Sequence, residues 1–250
     1  MRDRDSELRL ADVLVRTADT LTDDFDVERY LQWLADRCVE LLDGQSAGVM
    51  YTGGKGGVRL ISSSGQPIRV RDLLAVQHRG GPCVESFGTG RPVPPVRLDD
   101  AKARWPAFAA RAVRYGVAKT YAVPMRRQDS TLGVLNVFVP VTRRSGACER
   151  EFRIASVLAH GAAVGLANQR AHAECRTLSE QLQTALDSRI RVEQAKGALA
   201  ERWGTGVDEA FEALRHYARH EQQAIDQVAV QVIKGSISDT ALQHGKSGPC

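Results

Sequence analysis

Apolar residues at helical spacing open the chain. Residues 7–22 and 27–43 carry them three and four positions apart, and in the second segment Leu31, Leu34, Cys38, Leu41 and Leu42 form one stripe. A stripe of that width predicts an amphipathic helix, and Gly44 supplies its stop signal. From residue 46 the period shortens. SAGVMYT (46–52), the Gly-rich turn GGKGG and VRLIS (58–62) read as a hairpin, and TYAVPM (120–125) with LGVLNVFV (132–139), joined by the polar RRQDST, read as a second. At least four strands are therefore expected among helices.

Between the hairpins, RGGPCVESFGTGRPVPP is broken by Gly and Pro around a short helical piece at 84–87. ARWPAFAARAVRYG predicts a helix with Pro106 in its first turn and Gly116 at its end. Helices outside an antiparallel sheet make this part α+β. From Glu149 to about Arg202 there is neither Pro nor a turn cluster, and Val157, Val164, Ala171, Leu178, Ala185, Val192 and Leu199 recur every seven residues. That series predicts one long helix with a coiled-coil seam and moderate self-association. The companion positions Gly161, Asn168 and Cys175 precede Leu182, and Arg189 and Lys196 follow it, so the seam is expected to open toward its C-terminal end. The same spacing also serves a helix that packs on its own domain. After WGTG (203–206), Asp208 is a candidate cap for a helix bearing Ala210, Phe211, Leu214, Tyr217 and Ala218 on one face. Ile225, Val228, Ala229, Val232 and Ile233 mark a further short helix, and the unpatterned GSISDTALQHGKSGPC reads as a mobile tail.

A length of 250 residues suits two modules, and 43% hydrophobic with 26% charged residues suits folded domains with sizeable cores. The charged start MRDRDSELRL is not a signal peptide and no apolar run is long enough to span a bilayer, so a cytoplasmic protein without membrane partners is expected. Five widely spaced cysteines, Cys38, Cys83, Cys148, Cys175 and Cys250, contain no C-x-x-C and read as free thiols rather than a disulfide framework or a metal site. The net charge of +4 permits an acidic partner without demanding one.

Residues 192–199, VEQAKGAL, followed by Glu209-Ala210-Phe211, Leu214-Arg215, Ala218-Arg219 and Val228-Ala229, resemble the signature of the ANTAR family over about 45 residues. The resemblance implies a three-helix module that binds paired hairpins in leader transcripts as a homodimer and prevents a terminator from forming, touching RNA polymerase only indirectly. Ala200 stands where the family commonly has Met. The candidate RNA-binding residues are Arg189, Arg191, Gln194, Lys196, Gly197, Arg202, Arg215 and Arg219, with Lys196, Arg215 and Arg219 the leading trio for phosphates. Gly197 costs about 1 kcal/mol against Ala in a helix interior, which points to close approach by another helix or by a ligand backbone. Tyr217 fits the core better than a base-stacking platform. Residues 187–234 hold seven Lys or Arg against eight Asp or Glu, so a general electrostatic grip on RNA is excluded.

Upstream, GGPCVESFGTGRPV, RWPAFAARAVRYGVAKTYAVPM and LGVLNVFV resemble an actinobacterial GAF domain. That implies a sensor whose small ligand, of unidentified class, sits between sheet and helices. Cys83, Trp105 and Tyr121 are candidates to line such a pocket, although Trp105 and Phe108 also suit a core. His78 and Cys83 are too few for a metal. The whole chain thus reads as a GAF-like sensor domain (1–170), an ANTAR RNA-binding domain (171–236) whose first helix continues a coiled-coil linker, and a flexible tail (237–250), with no enzyme activity and no identified cofactor. Two other readings stay open. The GGPC turn resembles the site of GAF-type free methionine sulfoxide reductases, which use a catalytic cysteine, and the helical end is also suited to docking a protein partner.

Overall fold

A computed structural model describes residues 2–22, 24–42, 46–52, 57–62, 66–142 and 148–244. The stop at Gly44, most of the GGKGG turn and the last six residues of the expected tail lie outside them. The chain divides into two compact units, Met1–Ala173 and Glu174–Cys250.

The first unit is a five-stranded antiparallel sheet of order β2-β1-β5-β4-β3, with β1 Ser46–Thr52, β2 Val58–Ser62, β3 Val93–Arg97, β4 Val117–Arg127 and β5 Ser130–Pro140. β4 and β5 run further than their apolar cores suggest, because Arg126↔Thr131 and Arg127↔Ser130 keep pairing up to a turn of Gln128 and Asp129. β3 was hidden by Pro94 and Pro95. Proline is tolerated there because β3 is an edge strand with a register break between Val93 and Val96.

Six helices cover the sheet. On one face lie α1 Arg2–Ala18, α2 Val27–Leu41 and the first part of α6 Cys148–Trp203. The side chain of Asp26 caps α2, accepting from the backbone N–H groups of Glu28 and Arg29 at 2.8 and 3.1 Å. Leu31, Leu34 and Cys38 then pack with Val49, Tyr121 and Val137 of the sheet and Ala155, Leu158 and Ala162 of α6. On the other face lie α3 Pro67–Val76, α4 Pro82–Thr89 and α5 Pro106–Arg114. There Val70, Leu73, Cys83, Phe108 and Ala112 pack on Met50, Ala122, Val134 and Phe138. Both faces being covered, β5 reads as an almost unbroken apolar run. The sequence pattern missed α3, whose stripe is only Val70, Leu73 and Leu74 between arginines, with Ile68 left exposed.

The seven-residue series runs along one continuous helix but through different surroundings within the chain. In the first unit α6 buries Ala155, Leu158, Ala159, Ala162, Ala163 and Leu166, whereas Val157 of the series is exposed. Gly165 is the close point: a Cβ there would stand 2.1 Å from the carbonyl oxygen of Thr17 on α1. Every side chain from Arg170 to Asp187 is exposed, and Leu199 at the far end is fully buried.

The second unit joins the end of α6 to α7 Val207–His220, α8 Ile225–Ile233 and α9 Asp239–His244. Gly206 occupies the N-cap of α7, so Asp208 stands in its first turn rather than capping it. The core consists of Ala195 and Leu199 from α6, Ala210, Leu214 and Ala218 from α7, and Val228, Ala229 and Val232 from α8. Ile237 and Leu242 complete it, which corrects the expected tail: residues 237–244 are folded onto the module. One residue before a six-residue helix and one inside it make no periodic signal, which is why the pattern was silent.

Candidate nucleic-acid interface

The last turns of α6 present two sides. Ala195 and Leu199 face the core, and Gly197 lies about 200° round the helix from each, at about 100° per residue. Gly197 is exposed and a Cβ added to it would meet nothing within 4 Å. No other part of the described chain approaches it, so the helix-packing reason for this glycine does not hold within one chain. Gln194 is exposed beside it. Two and three turns back from Gly197, Ile190 and Leu186 continue the same face at 46% and 53% exposure, with Leu182 and Leu178 beyond them at 63% and 55%.

Lys196 is held in place. Its ammonium accepts no freedom from the fold: it donates to both carboxylate oxygens of Glu193 at 3.0 and 3.1 Å and stands 5.1 Å from the ring centroid of Phe211 on α7, leaving its side chain 16% exposed. Arg189 lies two helical turns before it on the same side of α6, exposed and without an acidic partner among the described residues. Arg215 follows Phe211 by one turn of α7 and is 3.4 Å from Glu212, and exposed Arg219 follows by another turn with no acidic partner among the described residues. Lys196 and Phe211 are thus brought together directly, with Arg215 and Arg219 continuing along α7.

Arg191 and Arg202 belong to a different side of α6, about three turns apart. Arg191 is 3.8 Å from Asp226 of α8, with its Nε buried and lacking a hydrogen-bond partner among the described residues, and Arg202 donates to Asp239 of α9 at 2.9 Å. Both brace the module internally. Tyr217 is half-buried against the core, in keeping with its spacing from Leu214. Sequence reasoning treated Phe211 as core alone. Its pairing with Lys196 across two helices had no signal in either helix taken singly.

The three residues expected to line a sensor pocket do not share one. Cys83 and Trp105 lie in the core on the α3–α5 side of the sheet, whereas Tyr121 lies in the core on the α1–α2 side, its ring edge-on to Phe152 at 5.7 Å. The Cys83 thiol is wholly buried, and desolvation pushes its pKa up, with a hydrogen bond to Gln77 opposing weakly. A reactive thiolate needs the reverse environment. Cys38 is likewise buried and pushed up to about 12 by desolvation. Beside Cys83 runs a buried polar chain: Gln77 Oε1 accepts from the Cys83 N–H at 2.7 Å, Gln77 Nε2 donates to the Leu73 carbonyl at 3.1 Å, and Asn136 Nδ2 donates to the Tyr121 carbonyl at 3.2 Å. Among the described residues no group of three or more His, Cys, Asp or Glu is placed to hold a metal, and no helix is long and apolar enough to cross a membrane.

An antiparallel sheet domain with helices on both faces is thus followed by a small helical module whose outer side carries an ordered cation on an aromatic ring. Family profiles agree: residues 26–167 match the GAF domain and residues 180–233 the ANTAR domain. The chain belongs to the GAF domain family and couples that domain to an ANTAR domain; both are regulatory. No curated protein matches it. Similar solved structures include the A. aeolicus nlh2 GAF domain in an inactive state (16% identity, covering 64% of this chain and 96% of that one, TM-score 0.45). Others are the phycocyanobilin-bound GAF domain from a cyanobacterial phytochrome (14%, 65% and 96%, TM-score 0.47) and reduced fRMsr of Staphylococcus aureus (16%, 62% and 94%, TM-score 0.39).

Proposed function

We propose that this protein is an RNA-binding regulator of transcription termination, acting as a homodimer whose ANTAR modules engage paired hairpins in leader transcripts under control of the GAF domain. The observation that carries the reading is the outer face of the second unit, where Lys196 is fixed over Phe211, Arg189, Arg215 and Arg219 extend the cationic line, and Gly197 leaves the α6 backbone open to an approaching partner. RNA loops are read by cations on phosphates beside flat side chains and accessible backbone, and that is the inventory here. The exposed stripe Leu178, Leu182, Leu186 and Ile190 supports the dimer, since a row of large apolar side chains facing water is stabilised by a second copy of the same helix. Two weak RNA sites joined in this way gain by effective concentration, so a signal that shifts dimerisation is a sufficient switch.

The test is filter binding of the full chain to a tandem-hairpin leader RNA, with light scattering on the same samples. K196E/R215E is expected to lose RNA affinity while the dimer persists. Unchanged affinity would favour a sensor that signals through a protein partner instead. The thiol-enzyme alternative loses ground to the burial of Cys83.

A further inference from the structure

The ANTAR unit is near neutral, so the positive charge of the chain lies elsewhere. Residues 66–127 carry twelve Lys or Arg against four Asp or Glu, and the rest of the chain carries twenty-two against twenty-six. A net charge of +4 thus conceals a sensor segment of +8 and a remainder of −4. Within the segment the acids are largely spoken for: Asp72 pairs with Arg111 at 2.6 Å, Glu85 with Arg104, and Asp99 with Lys102 at 2.9 Å. Arg69, Arg71, Arg79 and Arg114, on α3, the 3-10 turn Gln77–Arg79 and α5, have no acidic partner among the described residues.

Two of these cations, Arg79 and Arg114, border a concavity. Between α3, the 3-10 turn and α5 lies a cleft of about 560 Å³ lined by Asp72, His78, Arg79, Arg111 and Arg114, with the small side chains of Ala107 and Ala110 in its wall. Its geometry is fixed from beneath. Asp72 accepts from the Tyr115 hydroxyl and from Arg111 Nη1, both at 2.6 Å, and these bonds, the tyrosine's foremost, hold its carboxyl below the usual carboxylate range, so it stays ionised as an anchor for Arg111. Arg69 stands 5.8 Å from the Tyr115 ring at the same place. His78 is fixed through Nδ1 to the Ala75 carbonyl at 2.7 Å. An anchored arginine flanked by unpaired ones is suited to phosphate oxygens, which take planar guanidinium forks.

We infer that this cleft of the GAF domain binds the phosphate backbone of RNA, as a contact surface separate from the ANTAR face. The inference rests on the RNA-binding reading above and supplies what that reading lacks. Affinity for RNA at ordinary salt is largely counterion release, which requires cations that residues 187–234, with seven basic and eight acidic side chains, do not offer in surplus. The cleft offers them on a rigid, concave surface. Contacts of this kind position a nucleic acid without reading its sequence, so the two surfaces divide the work: the cleft supplies grip and the ANTAR face supplies choice.

The experiment compares the full-length protein with R79E/R114E and with K196E/R215E, titrating a tandem-hairpin RNA and a scrambled RNA of equal length across a series of KCl concentrations. Reversal of the two exposed cleft arginines is expected to weaken binding to both RNAs by roughly tenfold and to reduce the log–log salt slope by about 1.4, at about 0.7 per phosphate contact. R79K/R114K should restore most of the affinity, because a point charge still meets a phosphate. Ala110→Glu, which places an acid in the wall of the cleft, should reproduce the loss without removing any arginine and stands in if the double reversal does not fold. K196E/R215E should instead abolish the preference for the hairpin RNA. Wild-type affinity and salt slope in both R79E/R114E and Ala110→Glu would overturn the inference while leaving the ANTAR reading intact. Absence of RNA binding by the unmodified chain would remove both readings.

Discussion

Where α6 lies in the sensor unit it is lined with small residues, Ala155, Ala159, Ala162, Ala163 and Gly165, and the chain leaving α1 comes so near that the Thr20 hydroxyl donates to the Gly165 carbonyl at 2.7 Å. In the ANTAR unit the same helix buries only Ala195 and Leu199 fully, and Gly197 on its other side faces open space. One helix thus uses the same residue type for two purposes. Gly165 makes room for a neighbour that is present, whereas Gly197 is left free at a cost of about 1 kcal/mol in helix propensity, for which the chain itself shows no return. A helix glycine therefore carries functional meaning only once its surroundings are known.

The largest test of this contrast compares the two cores. Phe138 is fully buried between α5 and the sheet, and Leu214 is fully buried in the helical module. Phe138→Ala is expected to destabilise the sensor unit by about 3–5 kcal/mol and Leu214→Ala the helical unit by about 2–5 kcal/mol. Urea unfolding followed by circular dichroism, with RNA binding measured alongside, should show RNA affinity surviving Phe138→Ala better than Leu214→Ala below each midpoint. Equal loss in both would mean that the units do not fold as separate bodies.

A smaller effect separates two glycines within the sensor end. A Cβ at Gly165 would lie 2.1 Å from the Thr17 backbone oxygen, while one at Gly161 would lie 2.6 Å from the Thr17 side-chain oxygen. Each alanine overpacks the α1–α6 contact, at about 1–3 kcal/mol. Trimming Thr17 can relieve only one of them. G161A is expected to be rescued by T17A and G165A not, measured by thermal melts of the four variants, and rescue of both would show that α1 shifts as a body.

Much of this was readable in the chain. The α2 stripe of Leu31, Leu34 and Cys38 is long, capped by Asp26 and buried where the spacing puts it, and the β4–β5 hairpin forms around its two apolar runs. α3, β3 and α9 were not readable, for separate reasons. Arginines interrupt the short stripe of α3, Pro94 and Pro95 are compatible with a strand only at an edge, and α9 owes its place to Leu242 finding a core built by other helices. At the candidate site, the resemblance to the ANTAR signature singled out Lys196 and Arg215, but nothing local distinguished them from Arg191 and Arg202, which pair with Asp226 and Asp239 of later helices. That distinction is tertiary: it depends on which side of α6 the later helices dock. The heptad series runs along one continuous α6, yet for the same reason its members meet different surroundings, Val157 exposed and Leu199 buried.

The smallest effect is the most informative about function. With nothing within 4 Å of its Cβ and an ordinary helical backbone, Gly197→Ala carries no steric penalty in the isolated chain. Alanine there restricts the unfolded chain and favours the helix, so the variant is expected to be more stable by about 0.4–1 kcal/mol. RNA affinity should move the other way, because the added methyl stands where a nucleotide backbone would come closest to α6. The urea midpoint and the filter-binding constant, taken from one preparation, give both signs at once. A variant that is more stable and binds the hairpin RNA as tightly as the original would leave Gly197 without a role at the interface and shift the burden of recognition to Lys196, Phe211 and Arg215. A variant that gains stability and loses affinity would show that the helix gives up stability to keep its outer face open to RNA.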